Sequence, residues 1–451
     1  MLPKHRGSSF KRLACASVVA ALFNTQAFAF DLSTAVRSAL DYDAQFLAAR
    51  KQAEADATKA AQGLGLLLPE ANAGASRTKT ENDFGGGASG TEYSRYGNTY
   101  SVTLTQPIFR LDTFANFSQE QERSRAGESN FAQARIDSIL RTTEAYFAVL
   151  VAQDTLTSIE AELKAITEQL ESAKRNFEVG TSTITDQQEA QARFDLASAR
   201  RLAALNDIEV KRNALTQLVG QTLPASLKSL REAVTLSPPQ PVEMGAWVDQ
   251  ARSANLKVRA AQSTAEISRL QLRREVAAQN LPSVDLVAKR TRVDPYRGTS
   301  GDDAGNGYSD TDTISLQMTL PLFNGGIAIN RAKELSALRD KSMFDLENAR
   351  RTAEQDARTA YLGVFAGLLE VKAYEAAEKS SRLALESNQL GYEVGIRINI
   401  DVLNAQQQLT TTQQNLSKAR YNTLLNGLKL KAATGSLTEQ DIDTVNELLT
   451  K

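Results

Sequence analysis

Apolar positions recur at two different periods along this chain, and the two periods occupy separate windows. Leu156, Ile159, Leu163, Ile166, Leu170, Ala173 and Phe177 alternate spacings of three and four, the seam of a supercoiled helix pair. Val402, Ala405, Leu409, Thr412, Leu416 and Ala419 do the same with smaller side chains. No proline falls between Pro107 and Pro224 or after Pro321, and both windows are rich in Ala, Gln, Glu, Arg and Leu, so long helices are expected there. A continuous helix from Asp112 to Glu178 would run roughly 100 Å, far more than a globule needs. Two other windows, about 70–109 and 283–323, are rich in Gly, Ser, Thr, Tyr and Asn and read as strand pairs. In the second, Ile314, Leu316, Met318, Leu320 and Leu322 interleave with Ser315, Gln317, Thr319 and Pro321, giving one apolar and one polar face. Val102, Leu104 and Ile108 repeat this more weakly, as do Val284, Leu286 and Ala288. A soluble sandwich produces the same alternation. Tyr93, Tyr96, Tyr100, Tyr296 and Tyr308 flank these strands as an interfacial aromatic girdle would, which favours a membrane barrel.

The halves repeat one another. Leu68-Pro69 answers Leu281-Pro282 at an offset of 213 residues, and Pro107-Ile108-Phe109 answers Pro321-Leu322-Phe323 at 214. Ala145-Tyr146 answers Ala360-Tyr361, Glu178-Val179-Gly180 answers Glu393-Val394-Gly395, and Gly220 answers Gly435, each at 215. An internal duplication follows, with repeats at 30–236 and 237–451. Each runs helix, strand pair, then long helical hairpin, with tips near 180 and 395; a C-terminal equatorial segment ends the second. Two strands per repeat give four per chain, too few to close a barrel, and an open edge is not tolerated in lipid. The strands must therefore be pooled between copies. Two copies give eight strands, a barrel filled by its own side chains, whereas three give twelve and an open lumen. The expected object is an oligomeric pore: a β-barrel in the membrane continued by a helical tube.

Composition narrows the chemistry. Among 451 residues there is one Cys and one His, and both Cys15 and His5 fall in the first 29. That segment reads as a secretory signal: basic Lys4, Arg6, Lys11 and Arg12, an apolar stretch Leu13 to Phe23, and Ala27-Phe28-Ala29 as the cleavage site. Cys15 is followed by eight apolar or small residues, unlike a lipidation Cys at the end of such a stretch. The mature chain would start at Phe30 with neither thiol nor imidazole, which excludes zinc sites, disulfides, Cys nucleophiles and His-based triads. Without the leader, 48 basic side chains stand against 53 acidic ones, so nucleic acid is not an expected partner. No later segment has the apolar length of a spanning helix, and no nucleotide-binding Gly-Lys-Ser/Thr loop is present. No enzyme activity and no cofactor are expected.

Four motifs in order carry a resemblance: Phe177-Glu-Val-Gly-Thr-Ser-Thr-Ile-Thr-Asp186, Leu320-Pro-Leu-Phe-Asn-Gly-Gly326, Gly391-Tyr-Glu-Val-Gly-Ile-Arg-Ile-Asn-Ile-Asp-Val-Leu403 and Ala433-Thr-Gly-Ser-Leu-Thr-Glu-Gln-Asp441. Together with the duplication they resemble the TolC-type outer-membrane channels of type I secretion and multidrug efflux, over essentially the whole mature chain. The resemblance implies a mainly α homotrimer with a twelve-stranded barrel in outer-membrane lipid, a coiled-coil α-barrel through the periplasm, and an equatorial belt near 221–250 and the C-terminus. It implies as partners a periplasmic adaptor (membrane fusion protein), meeting the tip turns at Val179, Gly180, Val394 and Gly395, and an inner-membrane ABC transporter or proton-driven pump. It assigns Thr185, Asp186, Tyr392 and Arg397 to a latch that holds the periplasmic entrance closed, and Asp401 to a ring of carboxylates at the narrowest point. The family often has a second acidic position three residues on, which here is Asn404, so weaker cation selectivity is expected. Simple structural roles are open for the same residues: Gly180 and Gly395 as left-handed helix ends, Thr183 to Asp186 as a capping pattern, and Asp401 as a helix N-terminal acid. Protein export is the reading and drug efflux the alternative; a soluble periplasmic coiled-coil adaptor or scaffold is the rival of another class.

Overall fold

The computed structural model describes residues 30–84, 91–231, 234–294 and 308–449, without the side chains of 82–84 and 91–95. Residues 1–29, read above as a secretory signal, Tyr296 and the Tyr93 side chain lie outside the described residues.

The chain order is α1 (Leu32–Tyr42), α2 (Ala44–Gly65), β1 (Glu70–Phe84), β2 (Thr91–Phe109), α3 (Leu111–Glu178), α4 (Ile184–Val219), α5 (Met244–Ala254), α6 (Leu256–Asn280), β3 (Ser283–Asp294), β4 (Ser309–Thr319), α7 (Ile327–Glu393), α8 (Asn399–Ala433) and α9 (Glu439–Asn446). The long helices match in pairs: α3 and α7 have 68 and 67 residues, α4 and α8 have 36 and 35. One helix was expected before each strand pair; the structure has two. The break falls at Asp43, whose side chain accepts from Gln45 N, and at Asn255, whose side chain accepts from Lys257 N and Val258 N. Each side chain restarts a helix by satisfying amides that have no intrahelical partner.

The strands form one antiparallel sheet in the order β1-β2-β3-β4. Register places Ala73 beside Val102, Leu104 beside Ala288, and Leu286 beside Leu316, so the part of one face nearer the helices is apolar across all four strands. The other face carries Ser101, Thr103, Thr313, Ser315 and Gln317. The register shifts between Pro107 and Phe109, next to a residue with no amide hydrogen to give. β4 stops at Thr319, short of the expected Phe323, and Leu322 and Phe323 stand 89% and 87% exposed beyond it. Pro321 cannot donate to a ladder. β1 and β4 are the two unpaired edges of this sheet.

Below the sheet α2 packs on α3, α3 on α6 and α6 on α7; further on α3 pairs with α4, and α7 with α8. The heptad seams lie inside these pairs, with Ile159, Ile166, Leu170 and Ala173 buried on α3 and Val402, Leu409, Leu416 and Ala419 on α8. At the α7–α8 crossing a Cβ on Gly367 would stand 2.3 Å from Thr423 Oγ1, so only glycine permits that approach. The largest core cluster belts the middle of the molecule, joining Leu32 and Val36 of α1, Tyr146 and Leu150 of α3, Leu215 of α4, Tyr421 of α8 and Ile442 of α9. A bridge between Leu230 and Leu449 fastens the C-terminal segment to it. No described helix is long and apolar enough to cross a membrane.

Within the belt, the Asp154 carboxylate accepts from Ser417 Oγ at 2.5 Å and faces Tyr421, whose hydroxyl in turn receives Leu230 N at 3.3 Å. Burial pushes this carboxyl above its ordinary range, outweighing the hydrogen bonds from Ser417 and Tyr421 and the nearby Arg420. The folded state therefore disfavours the charged form, and the cost is absent below the unfolded pKa of about 4 and full once pH exceeds the raised folded value. Asp154→Asn keeps an acceptor and carries no charge. Its apparent thermal midpoint should gain on wild type as pH rises from about 4 to 7; a difference constant with pH would contradict the assignment.

Candidate functional site at the helical tips

Both hairpins turn in the same way. α3 ends at Glu178, Gly180 takes φ +79°, and Thr181 N and Ser182 N both donate to Asn176 O. α7 ends at Glu393, Gly395 takes φ +78°, and Ile396 N and Arg397 N both donate to Gly391 O. Such paired bonds across a left-handed glycine close a helix by satisfying its last carbonyls. They leave Val179 and Val394 on the outermost surface, 72% and 62% exposed. Two valines that could have been buried are thus presented at the tips.

Asp186 and Asp401 occupy one position in the two repeats, the third residue of α4 and α8, yet they have different partners. Thr183 caps α4 and makes a full capping box with Asp186: Thr183 Oγ1 receives Asp186 N at 3.2 Å, and Asp186 Oδ2 receives Thr183 N at 3.0 Å. Hydrogen bonds from Thr183 and Ser182 hold the Asp186 carboxyl below its ordinary range. At α8 the capping residue is Ile398, which has no side-chain acceptor. Asp401 has no box to complete there, and its carboxylate lies 3.6 Å from Arg397 Nη1 instead. The Arg397 stem lies across Gly391, where a Cβ would come within 2.6 Å of Arg397 Cγ.

The expected latch residues are therefore not gathered into one cluster within the chain. Asp186 serves its own cap, Arg397 pairs with Asp401, and Thr185 is exposed on the first turn of α4. Tyr392 does tie the hairpins together: its hydroxyl accepts from Asn176 Nδ2 at 3.4 Å, while its ring packs with Leu385, Val402 and Leu409.

Sequence reasoning missed most of what joins hairpin to hairpin. Asn399, 2% exposed, accepts from Gln169 Nε2 at 2.5 Å and donates to Asp186 O at 3.5 Å. Arg193 donates to Gln407 Oε1 at 2.7 Å and to Asn404 Oδ1 at 2.9 Å. Asn404, where a second acid was expected, is thus held by a guanidinium from α4. A usable signal existed: at the 215-residue offset Asn399 answers Ile184 and Asn176 answers Gly391, so the repeats differ where the hairpins meet.

The chain matches the family model of outer membrane efflux proteins over residues 35–221 and 247–436. It is 30% identical to the alkaline protease secretion protein AprF of Pseudomonas aeruginosa, over 94% of this chain and 88% of that one. It is also 30% identical to the outer membrane protein TolC of Vibrio cholerae, over 97% and 98%. Among solved structures, the outer membrane protein VceC of Vibrio cholerae superposes with a TM-score of 0.75 at 20% identity, covering 90% of this chain and 96% of that one. An open sheet with one apolar face, matched coiled-coil hairpins below it and these two full-length similarities place the chain in the outer membrane efflux protein family, among the TolC-type channels.

Proposed function

We propose that three copies join edge to edge, β4 of one beside β1 of the next, into a twelve-stranded barrel on a helical tube, forming a passive conduit from periplasm to exterior for type I protein secretion. The observation that carries this is the four-stranded sheet itself, with an apolar band across all four strands of one face and both edges unpaired within the chain. Such an edge cannot remain open in hydrocarbon. No bond is made or broken, so energy comes from an inner-membrane ABC transporter through a periplasmic adaptor. The adaptor's hairpins would meet the tips at Val179, Gly180, Val394 and Gly395, whose exposed valines suit a coiled-coil partner. Thr185, Asp186, Tyr392 and Arg397 would latch the entrance across protomers, a packing that docking converts from closed to open.

Full-length similarity to a protease secretion protein favours protein cargo. Cells lacking this chain should retain the protease or other protein encoded beside it, with drug susceptibility unchanged; the reverse pattern would transfer the reading to efflux. At the pore, three Asp401 carboxylates would favour cations, each offset by its Arg397 at 3.6 Å. In a salt gradient Asp401→Ala should move the reversal potential towards zero, and Arg397→Ala should move it towards the cation limit. Identical potentials in wild type and Asp401→Ala would leave Asp401 a helix N-terminal acid only.

A further inference from the structure

The outward face of the sheet changes character part-way up. Strand parity puts Arg290 and Arg292 of β3 on the same face as Leu286 and Ala288, flanked by Val102 and Tyr100 of β2 and by Asp312 and Asp310 of β4. On β1 the same face runs from Ala71, Ala73 and Ala75 to Arg77 and Lys79. Aromatic rings support these cations: Arg292 lies 4.0 Å from the centre of Tyr308, and Arg77 lies 5.2 Å from that of Tyr96. On β4 the apolar positions Ile314, Leu316 and Met318 cover about 13 Å along the strand at 3.3 Å per residue, and Leu320 and Leu322 follow beyond its end. At a tilt near 40° that strand portion rises about 10 Å, with Leu320 and Leu322 on the helical side of it. The basic side chains thus begin where the apolar positions of this face end, on the side away from the helices.

At that boundary lies a depression of about 410 Å³. Its floor is Ala73, Ala75 and Val102, whose small side chains leave it open, and its rim is Tyr100, Arg290, Arg292 and the carboxylate of Asp310. Arg290 sits 3.7 Å from both Asp310 and Asp312, too far for a hydrogen bond to either, so these carboxylates orient the guanidinium without consuming its donors. Arg292 gives one donor, Nε, to Asp294 at 3.2 Å and keeps the rest. An apolar floor continuous with the lipid-facing band, rimmed by guanidinium forks, matches an acyl chain beneath a phosphate.

We propose that this depression binds a phosphorylated lipid of the outer leaflet, its acyl chain over Ala73, Ala75 and Val102 and its phosphate between Arg290 and Arg292. The site rests on the outer-membrane barrel reading. Its occupant is either the phosphorylated glycolipid that faces the exterior or an anionic phospholipid, which share this chemistry.

The test titrates the detergent-solubilised wild-type assembly with bis-phosphorylated lipid A, dephosphorylated lipid A and phosphatidylglycerol, counting bound lipid by native mass spectrometry. Lipid A should bind about tenfold or more tightly than its dephosphorylated form, the value of one charge-assisted contact. Arg290→Gln with Arg292→Gln should erase that preference, while Lys289→Gln, on the polar face of the same strand, should keep it. Equal binding of phosphorylated and dephosphorylated lipid A by wild type would overturn the site even if the double variant failed to assemble, and so would an equal loss in Lys289→Gln. The phosphatidylglycerol arm tells phospholipid from glycolipid, and preference for either upholds the site. Failure of wild type to form conducting pores in a bilayer would instead remove the barrel reading beneath it.

Discussion

Leu316→Lys is expected to be lost from the outer membrane, while Ser315→Lys, one residue away on the same strand, is expected to assemble normally. Leu316 sits within the apolar run of β4, paired with Leu286, and is 69% exposed because nothing in the chain covers it. A lysine on the lipid face near mid-bilayer costs about 2–4 kcal/mol, falling towards zero near the headgroups. Three copies raise this to about 6–12 kcal/mol per assembly, comparable to the whole stability of a folded domain. Ser315 lies on the polar face, where an added lysine meets lumen water and changes stability little. Fractionation of the two variants reads the outcome. Equal tolerance would deny that this sheet meets lipid, and the reverse pattern would invert its faces.

The second large effect concerns the tips. Tyr392→Phe combined with Arg397→Ala should raise single-channel conductance severalfold. The first change removes the bond from Asn176 that ties α7 to α3, and the second removes the arginine proposed to latch neighbouring protomers. Each polar tie is worth about 0.5–1.5 kcal/mol, and threefold symmetry triples it. Moving a closed state from 99% to half occupancy needs about 2.7 kcal/mol, within that reach. An unchanged conductance would reduce Tyr392 to packing against Val402 and Leu409. Asn176→Ala is the finer test: removing the donor should reproduce the tyrosine's share of the effect and leave Arg397 paired with Asp401.

What could be read from the sequence followed how local each determinant is. The seam from Leu156 to Phe177 is a property of one helix's spacing: Ile159, Ile166, Leu170 and Ala173 are buried and Leu156 and Leu163 half-buried, while Phe177, beside the tip, is exposed. The capping pattern from Thr183 to Asp186 spans four residues and is present as a full box. Parity on β4 places Ile314, Leu316 and Met318 together whatever the neighbouring strand is. By contrast, the bonds from Asn176 to Tyr392 and from Arg193 to Asn404 depend on which faces of two hairpins meet, and spacing within either hairpin does not encode that. The Arg397–Asp401 pair was not read, because Arg397 precedes the capping residue Ile398 and helix-surface spacing does not extend to it. Asking what Ile398 leaves uncapped exposes it. The helix breaks at Asp43 and Asn255 were harder, because a single Asp or Asn inside a polar helical stretch is more often a solvated side chain than a cap.

The central claim is that a chain with four strands forms a membrane pore by closing with its own copies. The mass of the assembly extracted from the outer membrane in detergent tests it most directly. Three chains per particle, lost from solution when the detergent is withdrawn, is the predicted result; a single chain that stays dissolved without detergent would contradict it.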